Sequence, residues 1–163
     1  MQPMRIELLQ QMPIFGAISD EALQFLLAQA REVSVRAGEH FFRENDQANS
    51  MFVIETSNVS VTRRWQGREF VLHGMGPGDC FGEMALMDMS SRSASVRAET
   101  DCVAIELTTG DLLSLYEHDL KQFALIQMNI GREVCRRLRA TDDLLFRARM
   151  GETPVVPQLF RPG

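Results

Sequence analysis

Between Val33 and Leu107 the chain is a succession of short runs with a period near two, HFF, MFVIE, VSVTRRW, EFVLHGM, ASVRAE and CVAIEL, separated by AGE, END, SN, QG, GPGD and ETD. Alternation turns one face of each run to a core and the other to solvent, and the Gly, Pro, Asn and Asp residues between them mark turns. Many short strands without crossover helices point to an antiparallel sandwich or jelly roll. One stretch inside this zone breaks the period: FGEMALM, from Phe81 to Met87, has the spacing of a short helix.

Both flanks of the strand zone are helical in pattern. Ile6, Leu8 and Leu9 give helical signals. Ser19 then precedes Ala22, Leu23, Leu26, Leu27 and Ala30 at helical spacing, which predicts a capped amphipathic helix of about ten residues ending near Arg31. After Leu107, TTGDLLSLY reads as a short helix. Leu120, Phe123, Ile126, Ile130, Val134, Leu138, Thr141 and Leu145 predict a long helix over about 117–149, ended by Met150 and Gly151. The expected architecture is mainly β: a double-stranded β-helix jelly roll (β-roll) with an N-terminal helix and a long C-terminal helix, forming one domain over 1–149. A proline-containing tail over 150–163 is expected to be extended or poorly ordered. The apolar stripe of the long helix covers about 26 residues, more than a domain of this size needs for its own cover, and points to pairing with a second copy into a homodimer.

Composition bounds the function. A net charge of -5 in 163 residues argues against a protein built to sit on nucleic acid or an anionic membrane. Cys80, Cys102 and Cys135 lack metal-site spacing, as do His40, His73 and His118, so the thiols read as small apolar fillers and no zinc or haem site is expected. No apolar run has membrane-spanning length and the first residues lack a signal-peptide core, which places the expected protein in the cytoplasm. Nothing in the sequence pairs a nucleophile with a base, so no enzyme activity is expected. Arg63, Arg64 and Arg68 around a QG turn read as a solvated hairpin tip, with Trp65 partly exposed or packed. Arg136, Arg137 and Arg139 are expected to pair within the long helix, beside Asp142 and Asp143.

The chemistry concentrates in FGEMALMDMSSRSASVRA, from Phe81 to Ala98. A short helix between strands leaves its first N–H groups unpaired, and Gly82 permits close approach of the backbone, so the turn can cradle an anion. Arg92 offers a planar fork of donors to the same anion, and Ser93 a hydroxyl. Glu83 is out of place beside a phosphate unless the ligand also brings hydroxyl donors, as a ribose 2′-OH does. Phosphate and ribose together imply a nucleotide.

FGEMAL followed by RSASVRA resembles the phosphate-binding cassette of cyclic-nucleotide-binding domains. ISDEALQFLL, VRAGEHFFREND, MFVIE and GPGDCFGE follow the same family's order, so the resemblance covers roughly residues 12–147. It implies a ligand site formed by Phe81, Gly82, Glu83, Met84, Ala85, Arg92, Ser93, Ala94 and Thr141. Gly82, Met84 and Ala85 would give main-chain contacts, Glu83 would take the 2′-OH, and Arg92 the phosphate. Ser93 would contact phosphate or base, and Thr141, in RRLRAT, the purine. The ligand implied is a cyclic mononucleotide, cAMP rather than cGMP, and the function that of a sensor signalling through its C-terminal helix to a downstream protein. The alternatives are a transcriptional regulator that meets DNA only through a partner, and a degenerate scaffold that binds nothing. Asn45 and Ser57 or Asn58 stand where the family often has glycine, and Ser91 where proline is common; asparagine tolerates left-handed backbone well, so the first turns are expected to survive.

Overall fold

The computed structural model describes residues 2–152. The expected tail lies outside the described residues from 153 onward. In chain order the elements are α1 (Gln2–Gln10), a 3-10 turn (Pro13–Phe15), α2 (Asp20–Gln29), β1 (Arg31–Val35), β2 (His40–Phe42), β3 (Ser50–Thr56), β4 (Val59–Trp65), β5 (Arg68–Met75), β6 (Cys80–Phe81), α3 (Ala85–Asp88), β7 (Ser95–Ala98), β8 (Cys102–Thr108), α4 (Thr109–His118) and α5 (Leu120–Arg149). Ser19 caps α2 as expected, its side chain accepting from the Ala22 N–H. The helix stops at Gln29, ahead of Arg31, because Ala30 is already extended and β1 starts at once.

The strands form two antiparallel four-stranded sheets, ordered β1-β8-β3-β6 and β2-β7-β4-β5. β3 is buried on both faces, and its alternation divides the core in two. Met51 and Val53 pack with Leu23, Leu26, Leu115, Ile126 and Ile130 beneath the helices. Phe52 and Ile54 face Val61, Val96 and Ala104 between the sheets. This is the expected jelly roll, but α5 alone runs 30 residues whereas the longest strand, β5, has 8, so helices carry more of the chain than a mainly-β reading implies. Asn45 and Ser57 adopt left-handed backbone, with φ of 73° and 77°, so these turns are kept without glycine. Trp65 is exposed at the β4–β5 tip. Of the cysteines, Cys102 is buried in the core and Cys80 partly buried, but Cys135 is exposed and fills no core.

Asp119 ends α4 and caps α5, its carboxylate accepting from the Gln122 N–H at 3.1 Å. The α5 stripe then divides. Ile126 and Ile130 are buried and Val134 packs beside them, whereas Leu138, Leu145 and Phe146 are 58%, 56% and 62% exposed, so the stripe runs off the domain that made it. Asn129 fixes the inner half: its Nδ2 donates to the carbonyls of Ile14 at 3.0 Å and Gly16 at 2.8 Å. Asn129→Ala leaves both carbonyls without that donor in a buried setting and is expected to cost about 1–3 kcal/mol, read as a lowered urea midpoint with an unchanged m value.

Candidate functional site

β6 pairs with β3 through Phe81 opposite Phe52, and the two rings stack with centroids 5.2 Å apart. The strand can then turn into α3 because Gly82 takes φ of 81°, a value few other residues accept. Leu86 and Ala85 anchor α3 in the domain, while Met84, Met87 and Met89 remain on its exposed side. The loop after α3 returns Arg92 beneath it through two backbone bonds, Arg92 N–H to the Asp46 carbonyl and Asn45 N–H to the Arg92 carbonyl, each 2.8 Å.

Phe81, Gly82, Glu83, Met84, Ala85, Arg92, Ser93 and Ala94 all line one cavity of about 310 Å³. Its other walls include Phe42, Val61, Leu72, Arg63, His73 and Arg137. Two of the charged cassette residues are buried, Glu83 to 3% exposure and Arg92 to 7%, while Asp88 is exposed. The Arg92 guanidinium lies 3.9 Å over the Phe42 ring. Its Nη1 donates to the Gly82 carbonyl at 3.4 Å and its Nη2 to the Ser50 hydroxyl at 3.3 Å, whereas Nε is buried without a hydrogen-bond partner. Burial lowers the Arg92 pKa from the ordinary arginine value, opposed by the charges of Glu106, Asp46 and Glu83. A buried cation with an unspent donor beside a cavity is chemically suited to an anion.

The Glu83 carboxylate is held by Arg137 Nη1 from α5, a pair 54 residues apart in sequence. Arg137 therefore does not confine itself to its own helix as expected, although its Nε also lies 3.8 Å from Glu133. Arg136 does pair within the helix, with Glu133. Asp143 meets Arg147 at 3.1 Å. Burial, and then the Arg137 charge, lower the His73 pKa, with Asp79 opposing.

A small helix between strands, preceded by a buried glutamate and answered by a buried arginine, has counterparts among known proteins. Residues 32–119, more than half of the chain, match the cyclic nucleotide-binding domain. The chain belongs to the cyclic nucleotide-binding domain family. It is 29% identical over 131 residues to a cyclic AMP receptor protein of Thermus thermophilus, covering 80% of this chain and 59% of that protein. It is 30% identical over 145 residues to a CRP-like cAMP-activated global transcriptional regulator of Mycobacterium tuberculosis, covering 86% of this chain and 63% of that one. The chain thus spans less than two thirds of either relative. The crystal structure of the N-terminal domain of a transcriptional regulator from Streptomyces coelicolor superposes with a TM-score of 0.74 at 29% identity, covering 85% of this chain and 94% of that one.

In this cyclic nucleotide-binding domain, α5 reaches the cavity through Arg137, not through Thr141. Thr141 is exposed, and its hydroxyl donates to the Arg137 carbonyl at 2.9 Å. It lies one turn beyond Arg137 and is not part of the cavity wall, so the structure brings eight of the nine expected residues together and leaves the ninth on the helix surface. Sequence reasoning missed Arg137, His73 and Arg63 as wall residues. No spacing marked Arg137, because an i, i+4 carboxylate such as Glu133 is ordinarily the sign of a solvated helix face. Among the described residues, no group of three His, Cys, Asp or Glu side chains could hold a metal ion, and no helix is long and apolar enough to cross a membrane.

Proposed function

We propose that this chain is a cyclic-mononucleotide sensor, a cytoplasmic regulatory protein rather than an enzyme, that signals to a downstream protein by rearranging α5. The observation that carries the reading is Arg92, buried at the cavity wall with Nε unpartnered. In this reading Arg92 takes the cyclic phosphate and Glu83 the ribose 2′-OH. Gly82, Met84 and Ala85 add main-chain contacts, Ser93 adds phosphate or base contact, and Phe81 and Ala94 form walls. cAMP is favoured over cGMP because relatives named for cAMP share the domain. The domain is taken as 1–149, with the remaining residues a tail.

The coupling to α5 follows from Glu83. Its carboxylate already holds Arg137, so a 2′-OH that claims Glu83 must compete with or share that ion pair. A ligand shifts a conformational balance only by such differential contacts. Movement of the helix would then carry Thr141 towards the base, and the exposed Leu138, Leu145 and Phe146 are the surface through which a second copy would register the change. Titration calorimetry with cAMP, cGMP and cyclic dinucleotides tests the reading. One site per chain, tightest for cAMP, is expected; no heat and no thermal shift with any of them would overturn it. Glu83→Gln keeps the side-chain shape while weakening acceptance from the 2′-OH, so the mutant is expected to distinguish cAMP from 2′-deoxy-cAMP less well than the parent does. Equal discrimination would remove Glu83 from the site. Spin labels at position 139 are expected to report a ligand-dependent distance between paired α5 helices.

A second reading, regulation of transcription together with a DNA-binding element, draws on the relatives described as transcriptional regulators. Ligand-dependent retention of DNA by the chain alone would speak against the need for a partner.

A further inference from the structure

Two buried polar side chains take no part in that reading, Ser50 at 2% exposure and Glu106 at 8%. They sit on adjacent strands, β3 and β8, where Phe52 pairs with Glu106 and Ser50 with Thr108. Strand alternation puts Ser50 on the same face as Phe52 and Ile54, and Glu106 on the same face as Cys102 and Ala104. That face is the inner one, between the sheets, on the side where Arg92 lies. A carboxylate among these side chains is costly unless its oxygens are satisfied.

Both oxygens are satisfied, and one of them leads to the cavity. Glu106 Oε1 accepts from the Ser50 hydroxyl at 2.9 Å. Ser50 Oγ in turn accepts from Arg92 Nη2 at 3.3 Å, a division of labour that a hydroxyl can perform because it is donor and acceptor at once. Glu106 Oε2 accepts from Arg31 Nε at 2.9 Å, at the end of β1. Among the charges that favour the ionised form of Arg92 against its burial, Glu106 comes ahead of Asp46 and Glu83. Phe42 supports the guanidinium plane but cannot fix rotation within it; a hydrogen bond on one edge can.

We propose that Glu106, acting through the Ser50 hydroxyl, is a positioning residue that holds the Arg92 guanidinium in one orientation at the cavity wall. The inference rests on Arg92 being the anion-binding residue, and it assigns Ser50 and Glu106 a part in affinity without contact with the ligand.

The test has an arm that needs no nucleotide. In the ligand-free protein, ¹⁵N relaxation of the Arg92 Nε–Hε group, assigned by its loss in Arg92→Lys, is expected to report a rigid side chain in the parent and in Ser50→Thr, and a mobile one in Ser50→Ala and Glu106→Gln. Unchanged order in both Ser50→Ala and Glu106→Gln would overturn the proposal. In the second arm, calorimetry with cAMP is expected to give about tenfold weaker binding in Ser50→Ala and Glu106→Gln, recovery in Ser50→Thr, and no further loss when either change is made in the Arg92→Ala background. The same fold-loss in that background would mean a merely structural effect and would overturn it. Should Glu106→Gln fail to fold, Ser50→Ala decides. A parent that binds none of cAMP, cGMP and cyclic dinucleotides, yet whose Arg92 order depends on Ser50 and Glu106, refutes the nucleotide reading and still supports the positioning of Arg92.

Discussion

Arg92→Ala is expected to weaken cyclic-nucleotide binding by about 30- to 1,000-fold, the equivalent of roughly 2–4 kcal/mol for a charged partner lost from a partly desolvated site. Arg92 is the cassette's only cation among the residues that line the cavity from Phe81 to Ala94. Arg92→Lys is expected to recover little of the loss, because an ammonium cannot reproduce a fork that presently spans Gly82 and Ser50. The folded state should suffer less than binding does, since the mutation also removes a buried charge that resists its own burial. Calorimetry beside a thermal melt separates the two effects. Unchanged affinity in Arg92→Ala would mean that the anion, if one binds, sits elsewhere.

Gly82→Ala should damage both stability and binding, and a control glycine shows why. Gly82 and Gly38 both have φ of +81°, so each substitution incurs the strain of left-handed backbone, about 1 kcal/mol or somewhat more. A Cβ at Gly38 would meet nothing within 4 Å, whereas one at Gly82 would lie 2.5 Å from Arg92 Nη1 and 3.1 Å from the Ser50 carbonyl. The arginine can retreat but the strand carbonyl cannot, and any retreat misplaces the group that binds the anion. Gly38→Ala is therefore expected to lower the melting temperature modestly with affinity intact, and Gly82→Ala to lower both, with at least a tenfold loss of cAMP affinity. Equal affinity in the two variants would show that the close approach at Gly82 has no bearing on the ligand.

Local physics made much of this chain legible. The period-two runs became strands because alternation is a property of each segment alone, and Ser19 announced α2 because a cap acts within three residues. The cassette was legible for a similar reason: Gly82, Glu83 and Ala85 sit on one turn, and Arg92 returns within ten residues to bond the Gly82 carbonyl. What escaped was long-range. Arg137 had carboxylates within reach on its own helix, and nothing in the spacing says that it would turn to Glu83, 54 residues away. Glu106 lies in the run CVAIEL on the same face as Cys102 and Ala104, and what buries it is the second sheet packed over that face, a long-range partner that the run itself does not announce. Thr141 was placed from a motif; in the structure it stands exposed one turn beyond Arg137, and Arg137 is the α5 residue in the cavity wall.

The grip of Asn129 on the 3-10 turn gives α5 a fulcrum. Arg137 lies about 12 Å along the helix from that point and Arg149 about 30 Å, at ~1.5 Å of rise per residue. If α5 moves as a stiff rod, a displacement at the Glu83 pair is multiplied about two and a half times at Arg149. A sub-ångström adjustment between two side chains at the cavity would arrive at Leu145 and Phe146, about 24 to 26 Å from the fulcrum, roughly doubled.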